Sequence, residues 1–67
     1  MNTKEVIILA RKHLTFTDKN RESAEICLSD SISLFDKGDL EYAKKRAIKS
    51  LAYSIGICHP DYELALK

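Results

Sequence analysis

The stretch SLFDKGDLEYAKKR, residues 33–46, contains the strongest helix-breaking signal in the middle of the chain. Gly38 stands where the end of a helix needs a positive φ, which a residue without Cβ adopts at the least cost. Asp39 follows and can cap the next helix, because its short side chain accepts from the free N–H groups of the first turn. The signal therefore predicts two long helices, over residues 18–37 and 39–57, which run antiparallel because the link between them is so short.

Capping signals mark the other helix ends. A short polar side chain before a helix accepts from unpaired backbone N–H groups, and proline suits the first helical position because it has no N–H to satisfy. These signals predict a short helix over residues 3–13 and another over residues 60–67, one on each side of the two long helices. These signals are Asn2 with Glu5 as the cap of the first helix, Thr17 or Asp18 as the cap of the second, and Pro60 at the first helical position of the last.

Each long helix carries a broad band of apolar side chains. At about 100° per residue, the band fills an arc of roughly 160° on the first helix and nearly half of the circumference on the second. One facing helix covers a narrower arc, so we expect a homodimer in which two hairpins form a four-helix core. The predicted fold is all-α, an antiparallel helical hairpin with short flanking helices, in a single helical domain over residues 1–67. The residues expected in the core and dimer contact are Leu28, Ile32, Phe35, Leu40, Ala47, Leu51 and Ile55.

The chain of 67 residues has two cysteines, no signal-peptide pattern and no long apolar span. We therefore expect a cytosolic protein with reduced thiols and no membrane partner. Cys27 and Cys58 lie among apolar residues at helical spacing, which favours burial in the core. A zinc site made of these cysteines with His13 and His59 is not favoured, because structural zinc ligands usually come in closely spaced pairs. No metal or cofactor is predicted.

The formal net charge is only +1, with an acidic middle segment between two basic ones. Proteins dedicated to nucleic-acid binding usually have a large basic excess, so nucleic acid is not the favoured partner. A small DNA-associated regulator stays open as an alternative. The basic side chains that would contact phosphates in that alternative are Arg11, Lys12, Lys44, Lys45, Arg46 and Lys49.

The sequence shows no catalytic pattern. Neither His13 nor His59 has a nucleophile at a defined spacing, and the chain contains no glycine-rich phosphate loop and no cluster of metal-binding carboxylates. We therefore predict that the protein is not an enzyme.

Tyr42, Tyr53 and Ile57 lie opposite the main apolar face of the second predicted long helix. Large apolar side chains on one exposed side of a helix indicate a patch for contact with another protein. The Gly-Asp turn followed by Ala43 is also typical of tetratricopeptide units, which makes a peptide-binding helical hairpin a second alternative. An ordinary helical hairpin needs the same turn, and one helix pair is too few repeats to be stable alone.

Four segments together carry a resemblance to a known group. They are MNTKEV, ARKHLTFTDKNRESAEICL, SLFDKGDL, and the matching positions KRAIKSL, S, GI and HPDYE within the last segment, residues 45–63. With these segments, the chain resembles the small accessory proteins encoded between the exonuclease and excisionase genes in the early (exo-xis) region of lambdoid bacteriophages, including Shiga-toxin-converting ones. The resemblance implies a protein of the bacterial host cytoplasm that biases the choice between lysis and lysogeny and disturbs the host cell cycle. It implies no active-site residues, and we expect a non-enzymatic regulator that acts by binding an unidentified host or phage protein.

Overall fold

The computed structural model describes all 67 residues and consists of four α-helices without a β-strand. The all-α prediction is therefore confirmed. The helices are α1 (Thr3–Leu14), α2 (Arg21–Asp36), α3 (Leu40–Ile55) and α4 (Pro60–Leu66). The two long helices, α2 and α3, make the most extensive contact between elements, and α1 packs against both of them.

Three of the four helices begin where the sequence indicates: α1 and α3 at their predicted caps, and α4 at Pro60 after an N-cap of His59. The Asn2 side chain accepts from the backbone N–H of Glu5, and the Glu5 carboxylate accepts from the backbone N–H of Asn2, which completes a capping box. The Asp39 carboxylate accepts from the backbone N–H of Tyr42 at the start of α3. Pro60 stands in the first turn of α4. These side chains satisfy or remove N–H groups that the start of a helix leaves unpaired.

Gly38 ends α2 in the way that the sequence predicts. Its φ is +89°, and the N–H groups of Gly38 and Asp39 donate to the carbonyls of Phe35 and Leu34. This pair of hydrogen bonds is the Schellman arrangement, which satisfies carbonyls of the last helical turn. No heavy atom lies within 4 Å of the position that a Cβ on Gly38 would occupy. The glycine is therefore needed for the backbone conformation and not for space.

The start of α2 differs from the prediction, which placed it at residue 18 behind a Thr17 or Asp18 cap. α2 begins at Arg21, and Asn20 before it has a left-handed φ of 63° and no side-chain cap. Thr17 is bound to the preceding helix instead, because its buried hydroxyl donates to the His13 carbonyl at 2.7 Å. The hydroxyl thus satisfies a carbonyl at the end of α1 rather than an N–H at the start of α2.

The end of α3 also differs from the prediction. α3 ends at Ile55, because Gly56 after it has a φ of +81° and leaves the helical conformation. Ile57 and Cys58 therefore stand in the turn that leads to α4 and are exposed. The prediction that Cys58 belongs to the core is wrong, since the helical spacing on which it rested stops at Gly56.

α2 and α3 approach each other along a seam of small residues: Ala24 and Ser31 of α2, and Ala43, Ala47 and Ser50 of α3, all fully buried. Ser31 Oγ donates to the Ala43 carbonyl at 2.5 Å, and Ser50 Oγ donates to the Ala24 carbonyl at 2.8 Å. Ser31 lies seven residues after Ala24, and Ser50 lies seven residues after Ala43. The two hydrogen bonds are therefore reciprocal and pair the helices in antiparallel order.

α1 lies across this pair and closes the core. Val6 and Ala10 of α1 are fully buried and belong to one apolar cluster with Leu28 of α2 and Leu51 of α3. Ala65 of α4 joins the same cluster. The apolar band of the long helices is thus covered in part within the chain, by α1 and α4.

The seven residues predicted for the core and dimer contact divide into three groups. Those buried within the single chain are Leu28, Ala47 and Leu51. Those partly buried against the core are Ile32, Phe35 and Ile55. Leu40 is 51% exposed, because it occupies the first position of α3, outside the seam, and so it is not a core residue of the chain. The expectation that a second copy must cover the apolar bands of α2 and α3 considered these two helices alone. In the structure, α1 and α4 cover part of the same bands.

Ser50→Ala is expected to lower the free energy of unfolding by about 1 kcal/mol, because it removes a buried hydroxyl that donates to the facing helix. Ser54 is the matched control, since it lies one turn further along α3 and its buried hydroxyl has no partner in the chain. Ser54→Ala should leave the stability unchanged or raise it slightly. Urea unfolding followed by circular dichroism measures both variants. Equal losses would show that the Ser50 hydroxyl does not stabilise the seam.

Candidate interaction surfaces

The tyrosine face is the side of the α2–α3 pair that we define by Tyr42, Arg46 and Tyr53 of α3 and Asp30 of α2. Tyr42, Arg46 and Tyr53 are spaced by four and seven residues, which places them on one side of the helix. Leu51, which packs in the core with α1, is nine residues from Tyr42 and therefore points to the opposite side. Tyr42 is 57% exposed and Tyr53 39% exposed. Two residues of the predicted contact patch thus share one exposed face, away from α1.

Ile57 does not belong to this face by helical spacing, because it lies beyond the end of α3. It is exposed in the turn before α4. Helical spacing therefore supports only the two tyrosines as one face, and the place of Ile57 in a contact patch stays a prediction.

An ion pair crosses the middle of the tyrosine face. Arg46 Nη2 donates to Asp30 Oδ2 at 2.7 Å and links α3 to α2. This hydrogen bond raises the pKa of the Arg46 guanidinium above its usual value. Both side chains are partly exposed, so the pair contributes little to stability and chiefly fixes the position of the guanidinium between the two tyrosines.

A groove of about 350 Å³ opens at the Tyr42 end of the tyrosine face. Beside it, Lys45 Nζ lies 5.5 Å from the centroid of the Tyr42 ring. The groove offers an aromatic ring, one aliphatic side chain and two basic groups to a ligand. The residues that line it are Asp30, Ser33, Leu34, Lys37, Tyr42 and Arg46.

The α1–α2 surface is a second exposed apolar area and consists of two grooves that meet at Ile8. Ile8 is 56% exposed in the middle of the outer side of α1, and it lines both grooves. The inner groove, about 230 Å³, is lined by Lys4, Ile7, Ile8, Arg11, Ile32, Phe35 and Asp36. The outer groove, about 270 Å³, is lined by Met1, Glu5, Ile8, Leu9 and Lys12. Ile8 therefore forms a ridge with a depression on each side.

Ile8 is the most exposed apolar residue that lines both grooves, and it is not among the core or contact residues expected from the sequence. The signal for it is present in the sequence, because the run Val6 to Leu9 places apolar residues all around α1. The structure buries Val6 and Ile7 and leaves Ile8 exposed. The run alone does not indicate which of its members faces the core.

The six basic residues considered for nucleic-acid contact are divided between two helices. Arg11 and Lys12 lie on α1, and the other four lie on α3. On α3, Arg46 pairs with Asp30, and Lys45 Nζ lies 3.8 Å from Glu41 Oε1. Two of the four cations of α3 are thus already next to a carboxylate of the same chain, which does not favour phosphate binding.

A cluster of polar side chains holds α4 to α1. His13 Nε2 at the end of α1 donates to Asp61 Oδ2 at the start of α4, at 2.8 Å. The backbone N–H of Asp61 donates to His59 Nδ1 at 3.1 Å. The two imidazole rings meet edge to face, with centroids 5.4 Å apart. This contact could not be predicted from local spacing, because 48 residues separate His13 from Asp61.

The four residues considered for a zinc site do not form one metal-binding group, although the rings of His13 and His59 are in contact. Cys27 is buried in α2, whereas Cys58 is exposed in the turn before α4, and both thiols are free. The chain has no group of three or more His, Cys, Asp or Glu side chains placed to hold a metal ion.

Comparisons with protein-family models, with curated proteins and with solved structures gave no match. None of the four helices combines the length and the apolarity needed to cross a membrane. The tyrosine face and the α1–α2 surface are therefore the features on which a function can be proposed.

Asp61→Asn is expected to destabilise the protein near neutral pH, and the loss should shrink as the pH falls below about 4. The hydrogen bond from His13 lowers the pKa of the Asp61 carboxyl below its usual value. A depressed pKa in the folded state stabilises the fold above the unfolded pKa, and this contribution disappears as the pH falls through the folded pKa.

Glu63→Gln is the matched control, because Glu63 is an exposed carboxylate of the same helix and forms no ion pair in the chain. Urea unfolding at several values between about pH 5 and pH 2 measures the difference between each variant and the wild type. A constant difference for Asp61→Asn across that range would contradict the assigned role of its charge.

Proposed function

We propose that this protein is a non-enzymatic early regulatory protein of a lambdoid bacteriophage, which shifts the balance between lysis and lysogeny by binding another protein in the bacterial host cytoplasm. It acts as a homodimer that presents the tyrosine face to its target. The four sequence segments that resemble accessory proteins of the exonuclease-excisionase region support the phage context. The exposed surfaces of the chain support the mode of action.

The observation that carries the proposal is the exposure of Tyr42 and Tyr53 on one side of α3, with Arg46 held between them by Asp30. Tyrosine supplies a large, rigid contact area at a low cost in side-chain entropy. Tyrosine and arginine are also the residue types that contribute most often to binding energy at protein interfaces. A guanidinium that is already oriented by an ion pair loses less entropy when a partner binds.

The partner that fits this face is a protein segment that places an apolar side chain in the groove beside Tyr42 and an acidic side chain next to it. Lys37 lines the same groove and forms no ion pair in the chain, so its ammonium group is available to that acidic side chain. Lys45 beside the Tyr42 ring lies next to the Glu41 carboxylate, so Lys37 is the cation at this end of the face that is free of an ion pair in the chain.

The pair Tyr42→Ser with Tyr53→Ser is expected to abolish the effect of the protein on lysogeny, because it removes both aromatic side chains and leaves the core unchanged. The frequency of lysogeny is measured in bacteria that express the chain and are infected with a temperate lambdoid phage. Phe16→Ser is the control, since Phe16 is 80% exposed and lies in the loop after α1. An unchanged effect in the double variant, with normal helicity and thermal unfolding, would exclude the tyrosine face as the contact site.

A titration with duplex DNA at two salt concentrations tests the competing function. We expect no specific complex, because the chain has a net charge of only +1 and two of its α3 cations already pair with carboxylates. Contact with several phosphates would give an affinity that falls steeply with salt. Tight binding with such a dependence would favour a DNA-associated regulator over a protein-binding one.

A further inference from the structure

We infer that the α1–α2 surface is the contact between two copies of this chain, with Ile8 of each copy seated in the inner groove of the other. The inference rests on the homodimer of the proposed function and assigns the surface that forms it. Ile8 is 56% exposed, and the walls of the inner groove beside it are Ile7, Ile32 and Phe35. Two of these wall residues, Ile32 and Phe35, also belong to the set expected in a dimer contact.

The shape of this surface complements itself. A ridge and a groove lie side by side on one face, and Ile8 lines the groove as well as forming the ridge. A two-fold axis through such a face brings the ridge of each copy over the groove of the other, which is the arrangement of an isologous dimer. An apolar ridge in an apolar groove excludes water from both copies at once.

The charges at the rim of the inner groove also complement each other across a two-fold axis. Lys4 and Arg11 stand on the α1 side of the groove and Asp36 on the α2 side. None of these three side chains forms an ion pair within the chain. When two copies meet, the basic side of one groove faces the acidic side of the other, and like charges are kept apart. A rim that carried only positive or only negative side chains would repel a second copy, whereas a rim with both signs allows a second copy to bind.

The position of the surface is compatible with the target contact proposed above. Phe35 faces α1, and Ile26 lies nine residues earlier on α2, on the opposite side of that helix. The tyrosine face lies on the side of the molecule away from α1. A dimer formed through α1 and α2 therefore leaves both tyrosine faces open to a partner.

Ile8→Asp tests the contact, because it places a charge on the ridge that enters the groove. Sedimentation equilibrium of the purified wild-type chain in the micromolar range is expected to show a dimer, and Ile8→Asp is expected to raise the dissociation constant of that dimer about tenfold or more. Ile26→Asp is the matched control, since Ile26 is 55% exposed, close to the value for Ile8, and lies on the far side of α2. It should leave the dimer unchanged. Circular dichroism checks that both variants keep the helicity of the wild type.

A charge exchange tests the geometry separately. Asp36→Arg alone, and Lys4→Glu with Arg11→Glu alone, should each weaken self-association by placing like charges together. Mixed in equal amounts, the two variants should form a heterodimer, because each new charge then meets its opposite. Formation of this heterodimer also shows that both variants are folded, because an unfolded variant would not form it.

Three results would overturn the inference: a wild-type chain that stays monomeric, an Ile26→Asp effect as large as that of Ile8→Asp, or no heterodimer from the exchanged charges. Sedimentation measures the oligomeric state, whereas the frequency of lysogeny measures the proposed function. A monomer that still shifts lysogeny therefore removes the homodimer and its contact but leaves the effect on lysogeny and its target contact standing. A dimer without any effect on lysogeny removes only the function.

Discussion

The close approach of α2 and α3 is the constraint on which the rest of the structure depends. Small residues line the seam, and the reciprocal hydrogen bonds of Ser31 and Ser50 to backbone carbonyls fix its register. A packing of the two helices that left either hydroxyl buried without an acceptor would cost roughly 1–3 kcal/mol for each such group. The register in turn places Arg46 opposite Asp30 on one side of the pair and sets Leu51 toward α1 on the other.

The parts of the fold that follow from the sequence are those that local chemistry decides. Asn2 with Glu5, Gly38 and Asp39 act within one turn of their own position, so their roles can be predicted without knowing the fold. Thr17 shows the limit of this reasoning. Its hydroxyl can serve the helix before it or the helix after it, and the packing of α1 decides the choice.

The parts that could not be predicted depend on contacts between distant segments. The apolar bands of α2 and α3 are visible in the sequence, but their periodicity does not reveal that α1 lies across them and covers Leu51. The exposure of Ile8 and the pairing of His13 with Asp61 follow from that crossing and from the docking of α4. For the candidate sites, the tyrosines could be placed from helical spacing alone, whereas the α1–α2 surface needed the tertiary arrangement.

The turn at Gly38 discriminates between L- and D-residues at this one position. The backbone there has a φ of +89°, and nothing occupies the place where a side chain would stand. An L-residue is disfavoured at this φ by its own backbone and not by its neighbours, whereas a D-residue prefers it. D-alanine introduced at this position by chemical synthesis would therefore fit the turn and would also restrict the unfolded chain more than glycine does. The chirality of a residue, rather than its size or polarity, therefore decides whether it fits at position 38.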